Sequence, residues 1–213
     1  MVLKRALSGL FVLTLASGVL LAQSSGPKVA KTHRTGATTK SKNPSAARII
    51  WSNLGPSPSN AYNATTGYYI LGPNNSVGLS EQWIGVPFVP KMNATVQVLQ
   101  VAAQWISGTN RFNVGLYTDS GGTVGSLIAG GTGQGAPAFG TCCQTVNVPI
   151  TPTAISQGVQ YWIVATSDDD NAADFTGVFV ASNLANIAGD VGLEGWFSFT
   201  TNTPAAAAWG TIP

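Results

Sequence analysis

Apolar and polar residues alternate along several stretches after residue 47, with the two-residue period of β-strands that bury one face. The alternating segments are 84–88, 111–117 and 191–199. In the second of these, Phe112, Val114 and Leu116 fall on one side, which predicts that they point into a core.

Residues 95–106 and 159–166 are more continuously apolar, which predicts central strands covered on both faces. Shorter strands are expected at 49–52, 68–71, 145–148 and 175–181, separated by turn clusters at 107–110, 119–122 and 130–133. Pro149 and Pro152 are expected near strand ends, where a missing N–H does least harm. About nine short strands with no amphipathic helix predict an all-β fold, an antiparallel β-sandwich.

The first 22 residues have the pattern of a helical export signal. Lys4 and Arg5 precede a charge-free run, and small Ala22 suits the position before a cleavage site. An uncleaved membrane anchor is the alternative, but serine, threonine and glycine dilute the run. We therefore expect a secreted protein, extracellular or periplasmic, without stable membrane insertion after cleavage.

Charge divides the rest of the chain into two parts. Residues 23–48 carry six basic residues and no acid in a Ser/Thr/Gly/Pro-rich segment, which predicts a disordered linker. This linker is either a solvated tether or a segment that adheres to anionic cell-surface polymers. Residues 49–213 carry two basic and eight acidic residues and form the expected β-sandwich domain.

Several kinds of chemistry have no support in the sequence. The single histidine, His33, lies in the linker, so neither a Ser-His-Asp site nor a multi-histidine zinc site is expected in the domain. No glycine-rich phosphate-binding motif is present, and the acidic domain is not expected to bind nucleic acid.

Cys142 and Cys143 are the only cysteines, and they are adjacent. In an exported protein they are expected to oxidise, and the intramolecular option is a vicinal disulfide. Adjacent Cα atoms lie about 3.8 Å apart, below the roughly 4.4 Å of ordinary disulfides, so this bond would be strained. It would either stiffen the turn or offer a rigid sulfur surface to a ligand; free thiols and intermolecular bridging remain open.

Four segments follow one another along the chain: Trp51-Ser52-Asn53-Leu54-Gly55, the apolar strand Ile84–Val89, the run from Phe112 through Tyr117-Thr118-Asp119-Ser120-Gly121-Gly122, and Ser156-Gln157-Gly158-Val159-Gln160-Tyr161-Trp162. Together they resemble the bacterial secreted proteins called choice-of-anchor domain proteins. The resemblance covers about residues 49–200 and implies a jelly-roll-like sandwich at the cell surface or released, with no established chemistry. The sequence ends without the apolar segment and basic stop of anchored members, so release is expected.

Two Glu-x-Trp pairs are the sharpest candidates for a binding site. Glu81 with Trp83, and Glu194 with Trp196, are each two residues apart and would share the strand face opposite the core. An indole beside a carboxylate suits a sugar, which stacks its C–H face and donates its hydroxyls, and Tyr117 would extend the surface. Alternatively, the tryptophans cover the sheet edge or pack under loops, or the two glutamates form a glycosidase pair.

Four aspartates form an acidic segment: Asp168, Asp169, Asp170 and Asp174. An oxygen-liganded structural Ca²⁺ would relieve their repulsion, although the spacing differs from the helix-loop-helix calcium motif. A solvated acidic turn is the alternative, and no other cofactor is expected.

These patterns together predict a secreted, non-catalytic β-sandwich that binds an extracellular partner, with a glycan as the expected ligand class. A self-associating structural protein and a carbohydrate-active enzyme that uses Glu81 and Glu194 are the alternatives. The oligomeric state is left open.

Overall fold

A computed structural model describes residues 48–54, 62–141, 144–182, 191–192 and 204–212. The predicted signal peptide and nearly all of the predicted linker lie outside these residues. The described part contains twelve strands: β1 Arg48–Ser52, β2 Tyr62–Leu71, β3 Ile84–Phe88, β4 Ala94–Val101, β5 Ala103–Ser107, β6 Arg111–Asp119, β7 Val124–Gln134, β8 Val146–Ile155, β9 Tyr161–Ser167, β10 Thr176–Ser182, β11 Val191–Gly192 and β12 Ala206–Thr211. Among the described residues no helix is long and apolar enough to cross a membrane.

The strands form three sheets in which every pairing is antiparallel. The four-stranded sheet has the order β1-β12-β4-β8, the three-stranded sheet β2-β10-β5, and the five-stranded sheet β11-β3-β9-β6-β7. This arrangement confirms the predicted all-β, antiparallel β-sandwich class.

One hydrophobic core joins all three sheets. Phe112, Val114 and Leu116 on β6 are buried in it, as their alternation predicts. Trp51 of the four-stranded sheet stacks on Phe88 of the five-stranded sheet, with ring centroids 5.3 Å apart. Aromatic contacts of this kind add to the free energy gained by burying apolar surface.

The apolar run 95–106 was expected to form one strand, and this prediction is wrong. The chain forms β4 in the four-stranded sheet, breaks at Ala102 and continues as β5 in the three-stranded sheet. Ala102 is fully buried, and its backbone bonds to Ala205 and Val180 at 2.9 Å each. Its N–H and C=O are both hydrogen-bonded where the chain passes from one sheet to the other. An apolar residue can therefore occupy this corner, and no polar residue in the sequence marks the break between the two strands.

The stretch around 130–133 was expected to be a turn, but it lies inside β7. Close packing favours glycine there, because a β-carbon at Gly131 would lie 2.4 Å from the backbone carbonyl oxygen of Pro149. Pro149 and Pro152 lie within β8 rather than at a strand end. They are tolerated because β8 is an edge strand of its sheet and leaves one side of its backbone without a partner strand in that sheet.

Candidate functional site

The outer face of the five-stranded sheet carries a second apolar cluster. Tyr117 on β6 lies opposite Trp162 on β9, and both point away from the main core. The cluster contains Tyr117, Val124, Trp162 and Val164, with Trp83 and Leu127 packed against it. Tyr117 is only 6% exposed. Its ring is therefore packed under its neighbours, and the expectation that it extends an open stacking surface is not met.

Asp119 joins two of the segments on which the family resemblance is based, 112–122 and 156–162. Its Oδ1 accepts hydrogen bonds from Gln160 Nε2 at 2.6 Å and Trp162 Nε1 at 2.8 Å, and its Oδ2 accepts one from Gly122 N at 2.9 Å. Burial alone raises the pKa of Asp119, but the hydrogen bonds outweigh it and the pKa lies below its ordinary value. These motif residues therefore fasten the β6–β7 turn to β9.

The stretch before β3 positions the first Glu-x-Trp pair. Gln82 exchanges two backbone hydrogen bonds with Leu71 at the end of β2, at 2.9 and 3.1 Å, which fixes the chain between Glu81 and Trp83. Trp83 Nε1 donates to Glu81 Oε1 at 2.5 Å. Both side chains are half-buried, and Trp83 packs against the outer apolar cluster. The indole is thus oriented by its own carboxylate neighbour.

Ser167, the last residue of β9, links this pair to the neighbouring strands. Its hydroxyl lies 2.9 Å from Glu81 Oε1 and also contacts Asp169 Oδ1. Its carbonyl accepts a hydrogen bond from Asn113 Nδ2 at 3.3 Å, and Asn113 Oδ1 accepts one from Thr132 Oγ1 at 3.1 Å. We refer to Glu81, Trp83, Asn113, Thr132, Ser167 and Asp169 as the polar network.

Antiparallel pairing brings these residues to one end of the five-stranded sheet, because β3 and β6 begin where β7 and β9 end. Sequence reasoning identified Glu81, Trp83 and Asp169 but missed Ser167, Asn113 and Thr132. Asn113 was visible as the polar, outward position between Phe112 and Val114. Its partners were not, because the pattern within one strand does not specify which strand lies beside it.

Asp168, Asp169 and Asp174, three of the four aspartates of the expected calcium site, have separate partners. Buried Asp168 pairs with Arg111 and accepts a hydrogen bond from Asn171 Nδ2 at 3.1 Å. Exposed Asp174 accepts one from the backbone N–H of Thr109 at 3.1 Å, which lowers its pKa. Asp169 contacts Ser167. Within the described ranges no three His, Cys, Asp or Glu side chains are grouped to hold a metal ion, so the expected convergence is not found.

The remaining predicted site residues lie outside the described residues: Cys142, Cys143, Glu194 and Trp196. The chain just before the cysteines is anchored, since buried Gln104 accepts from Gly140 N at 3.0 Å and donates to Thr141 O at 2.6 Å. The vicinal disulfide, the second Glu-x-Trp pair and the glycosidase pairing of Glu81 with Glu194 stay predictions.

Comparison of the sequence with protein-family models and with curated proteins gives no match. The chemistry of the polar network and its surroundings is therefore the basis on which a function can be inferred.

Proposed function

We propose that this protein is a non-catalytic extracellular binding module that recognises a glycan at the polar network. The observation that carries the proposal is the Trp83 indole, half-buried and hydrogen-bonded to Glu81, whose carboxylate in turn contacts Ser167. An aromatic ring held in one orientation beside polar groups loses little conformational entropy when a ligand binds. The extracellular setting rests on the predicted export signal at residues 1–22.

The chemistry around the indole suits a sugar ring. The exposed part of the Trp83 ring offers an apolar surface to sugar C–H groups, and the flanking side chains offer hydrogen-bond partners to hydroxyls. Glu81 supplies a carboxylate acceptor beside the ring, while Asn113 and Thr132 supply amide and hydroxyl groups on paired strands. Asn113, Thr132 and Ser167 lie near strand ends, and the backbone bonds of Gln82 to Leu71 fix the stretch that carries Glu81 and Trp83, which favours a preformed binding surface.

A glycan array with the full chain tests the proposal. Trp83→Ala is expected to abolish binding to any glycan that the wild-type protein retains, because it removes the stacking ring. Trp83→Phe should retain weaker binding, since it keeps an aromatic ring but loses the hydrogen bond to Glu81.

Trp209→Ala is the matched control. Trp209 is also half-buried and donates its indole N–H, to Gln100 Oε1 at 3.1 Å, but it belongs to the four-stranded sheet. Binding that survives Trp83→Ala, or that is lost equally in both alanine variants, would contradict the site.

Self-association is the second candidate function, and one observation favours it. Ile49 lies on β1, an edge strand of the four-stranded sheet, and is 51% exposed. An apolar side chain on an edge strand favours pairing with another copy of the chain. Sedimentation velocity should then show an oligomer that Ile49→Lys dissociates; a wild-type monomer at all concentrations would remove this candidate.

A further inference from the structure

The hydroxyl of Ser167 contacts carboxylates from two different parts of the chain. One is Glu81, before β3, and the other is Asp169, in the turn that follows β9. A serine hydroxyl carries one hydrogen, so it donates to only one of the two carboxylates at a time. The hydrogen bond to Glu81 and the hydrogen bond to Asp169 therefore compete.

We propose that Ser167 is a positioning residue that couples the turn after β9 to the orientation of Trp83. When Ser167 donates to Glu81, it stabilises the carboxylate that orients the indole. When it donates to Asp169, its oxygen presents a lone pair to Glu81 Oε1, and the contact between those two oxygens becomes repulsive. Since Trp83 Nε1 is bonded to that same oxygen of Glu81, the indole follows the carboxylate.

The backbones of Ser167 and of the turn after β9 are both held in place. The two carboxylates therefore compete for the hydroxyl hydrogen of Ser167 without any movement of the chain. Ser167 is 3% exposed and lies opposite Phe112 in the β6–β9 pairing. In the turn after β9, Asp168 pairs with Arg111, and its carbonyl accepts the backbone N–H of Ala172 at 2.6 Å. A change at Asp169 is therefore transmitted to Glu81 through the shared hydroxyl.

For ligand binding, this inference rests on the proposed function: the turn after β9 would set the affinity of the Trp83 surface. Losing one hydrogen bond of about 1 kcal/mol corresponds to a roughly fivefold change in affinity. Ser167→Ala should weaken glycan binding by about that factor, and Asp169→Asn should strengthen it.

The coupling itself is tested without ligand, by fluorine NMR of the full chain labelled with fluorotryptophan. Trp83→Phe assigns the Trp83 resonance, and the other five tryptophans report whether each variant is folded. In Asp169→Asn the new amide donates to Ser167 Oγ and leaves the serine hydrogen for Glu81, so the Trp83 resonance should move away from the free-amino-acid position. In Ser167→Ala it should move toward that position, and Ser167→Thr should restore the wild-type shift.

Asp169→Ala and Asp170→Asn complete the set. Asp169→Ala also frees the serine hydrogen and should shift the resonance in the same direction as Asp169→Asn. If Ser167→Ala does not fold, a Trp83 resonance that stays fixed in both Asp169 variants still overturns the coupling. Asp170→Asn removes a charge from the same turn and should leave the resonance in place.

Shifts of the Trp83 resonance in opposite directions in the Ser167→Ala and Asp169 variants support the coupling, whatever the glycan array shows. A Trp83 resonance that stays fixed in every variant, or that moves in one direction in all of them, overturns it. Opposite displacements together with glycan binding that no Trp83 variant alters would overturn the proposed function alone.

Discussion

Asp119 is a single side chain that ties together a turn and two strands. It accepts hydrogen bonds from Gly122 in the turn and from Gln160 and Trp162 in and before β9. Gly121 and Gly122 both have positive φ, 65° and 86°, so the turn conformation also depends on residues without a β-carbon. The carboxylate thus stabilises a backbone shape that these glycines make accessible.

We predict that Asp119→Asn lowers the free energy of unfolding by about 1 kcal/mol at neutral pH, because a neutral amide accepts these bonds less strongly. Partial exposure of the carboxylate keeps the effect modest. Urea denaturation of both proteins measures it. An unchanged midpoint would mean that water replaces these bonds.

Low pH should remove the difference in the free energy of unfolding between wild type and Asp119→Asn. The folded-state pKa of Asp119 is depressed, so its contribution is present above the unfolded value of about 3.9 and is lost as pH falls through the folded value. Denaturation at about pH 3 or below is expected to show a smaller gap between wild type and Asp119→Asn than at neutral pH.

The stability that Tyr117 contributes should be lost at high pH, whereas that of Asp119 is lost at low pH. Burial raises the pKa of Tyr117 to about 12 from the ordinary 10.0. Its contribution to stability is therefore complete below pH 10 and is lost as pH rises toward 12. An absorbance titration should show a tyrosine ionisation step near pH 12 that Tyr117→Phe removes. The absence of such a step would contradict the burial of Tyr117.

At the scale of elements, β5 holds the segment before the two cysteines against the sheet. Trp105 N donates to Pro137 O at 2.8 Å and Phe139 N donates to Trp105 O at 2.9 Å. Gln104, fully buried beside them, bonds the next two residues, Gly140 and Thr141. The segment is therefore anchored by backbone pairing and by one buried amide.

Gln104→Leu, which fills a similar volume without hydrogen-bonding groups, is expected to cost about 1 kcal/mol of stability. The cost is moderate because Gly140 and Thr141 are exposed and can bond to water instead. Limited proteolysis should become faster near residue 140, and urea denaturation gives the stability change. Gln97→Leu, at a half-buried position on β4, is the control and should leave the cleavage rate unchanged.

At the scale of the whole molecule, charge surrounds the polar network unevenly. Glu81, Asp168, Asp169 and Asp170 lie in or beside it, whereas Arg111, a nearby cation in the described part of the chain, is paired with Asp168. A surface with this excess of acidic groups repels anionic ligands at low ionic strength, whereas it exerts no net electrostatic force on neutral ligands.

A neutral oligosaccharide should therefore bind more tightly than its sulfated counterpart. Added salt should reduce this difference in affinity, because it screens the repulsion of the sulfate groups. Titration calorimetry at low and high salt measures both affinities. Asp170→Asn should also narrow the difference at low salt without altering the affinity for the neutral sugar. Tighter binding of the sulfated form at low salt would contradict the expected electrostatics.

The local pattern of the chain determined its class and much of its core. Phe112, Val114 and Leu116 alternate with polar or small residues, and a period of two places them on one face whatever strand lies beside them. The same reasoning placed Glu81 and Trp83 close enough to interact, because they are two residues apart on extended chain.

Tertiary structure decided where the strands break and which side chains meet. No turn or polar residue marks the change of sheet at Ala102, because Ala205 and Val180 supply the hydrogen bonds that its backbone groups need. Ser167 meets Glu81 across 86 positions of sequence, through the pairing of β9 with β3. Local periodicity specifies which face a residue takes, but only the choice of partner strand and its register specifies which other residue it faces.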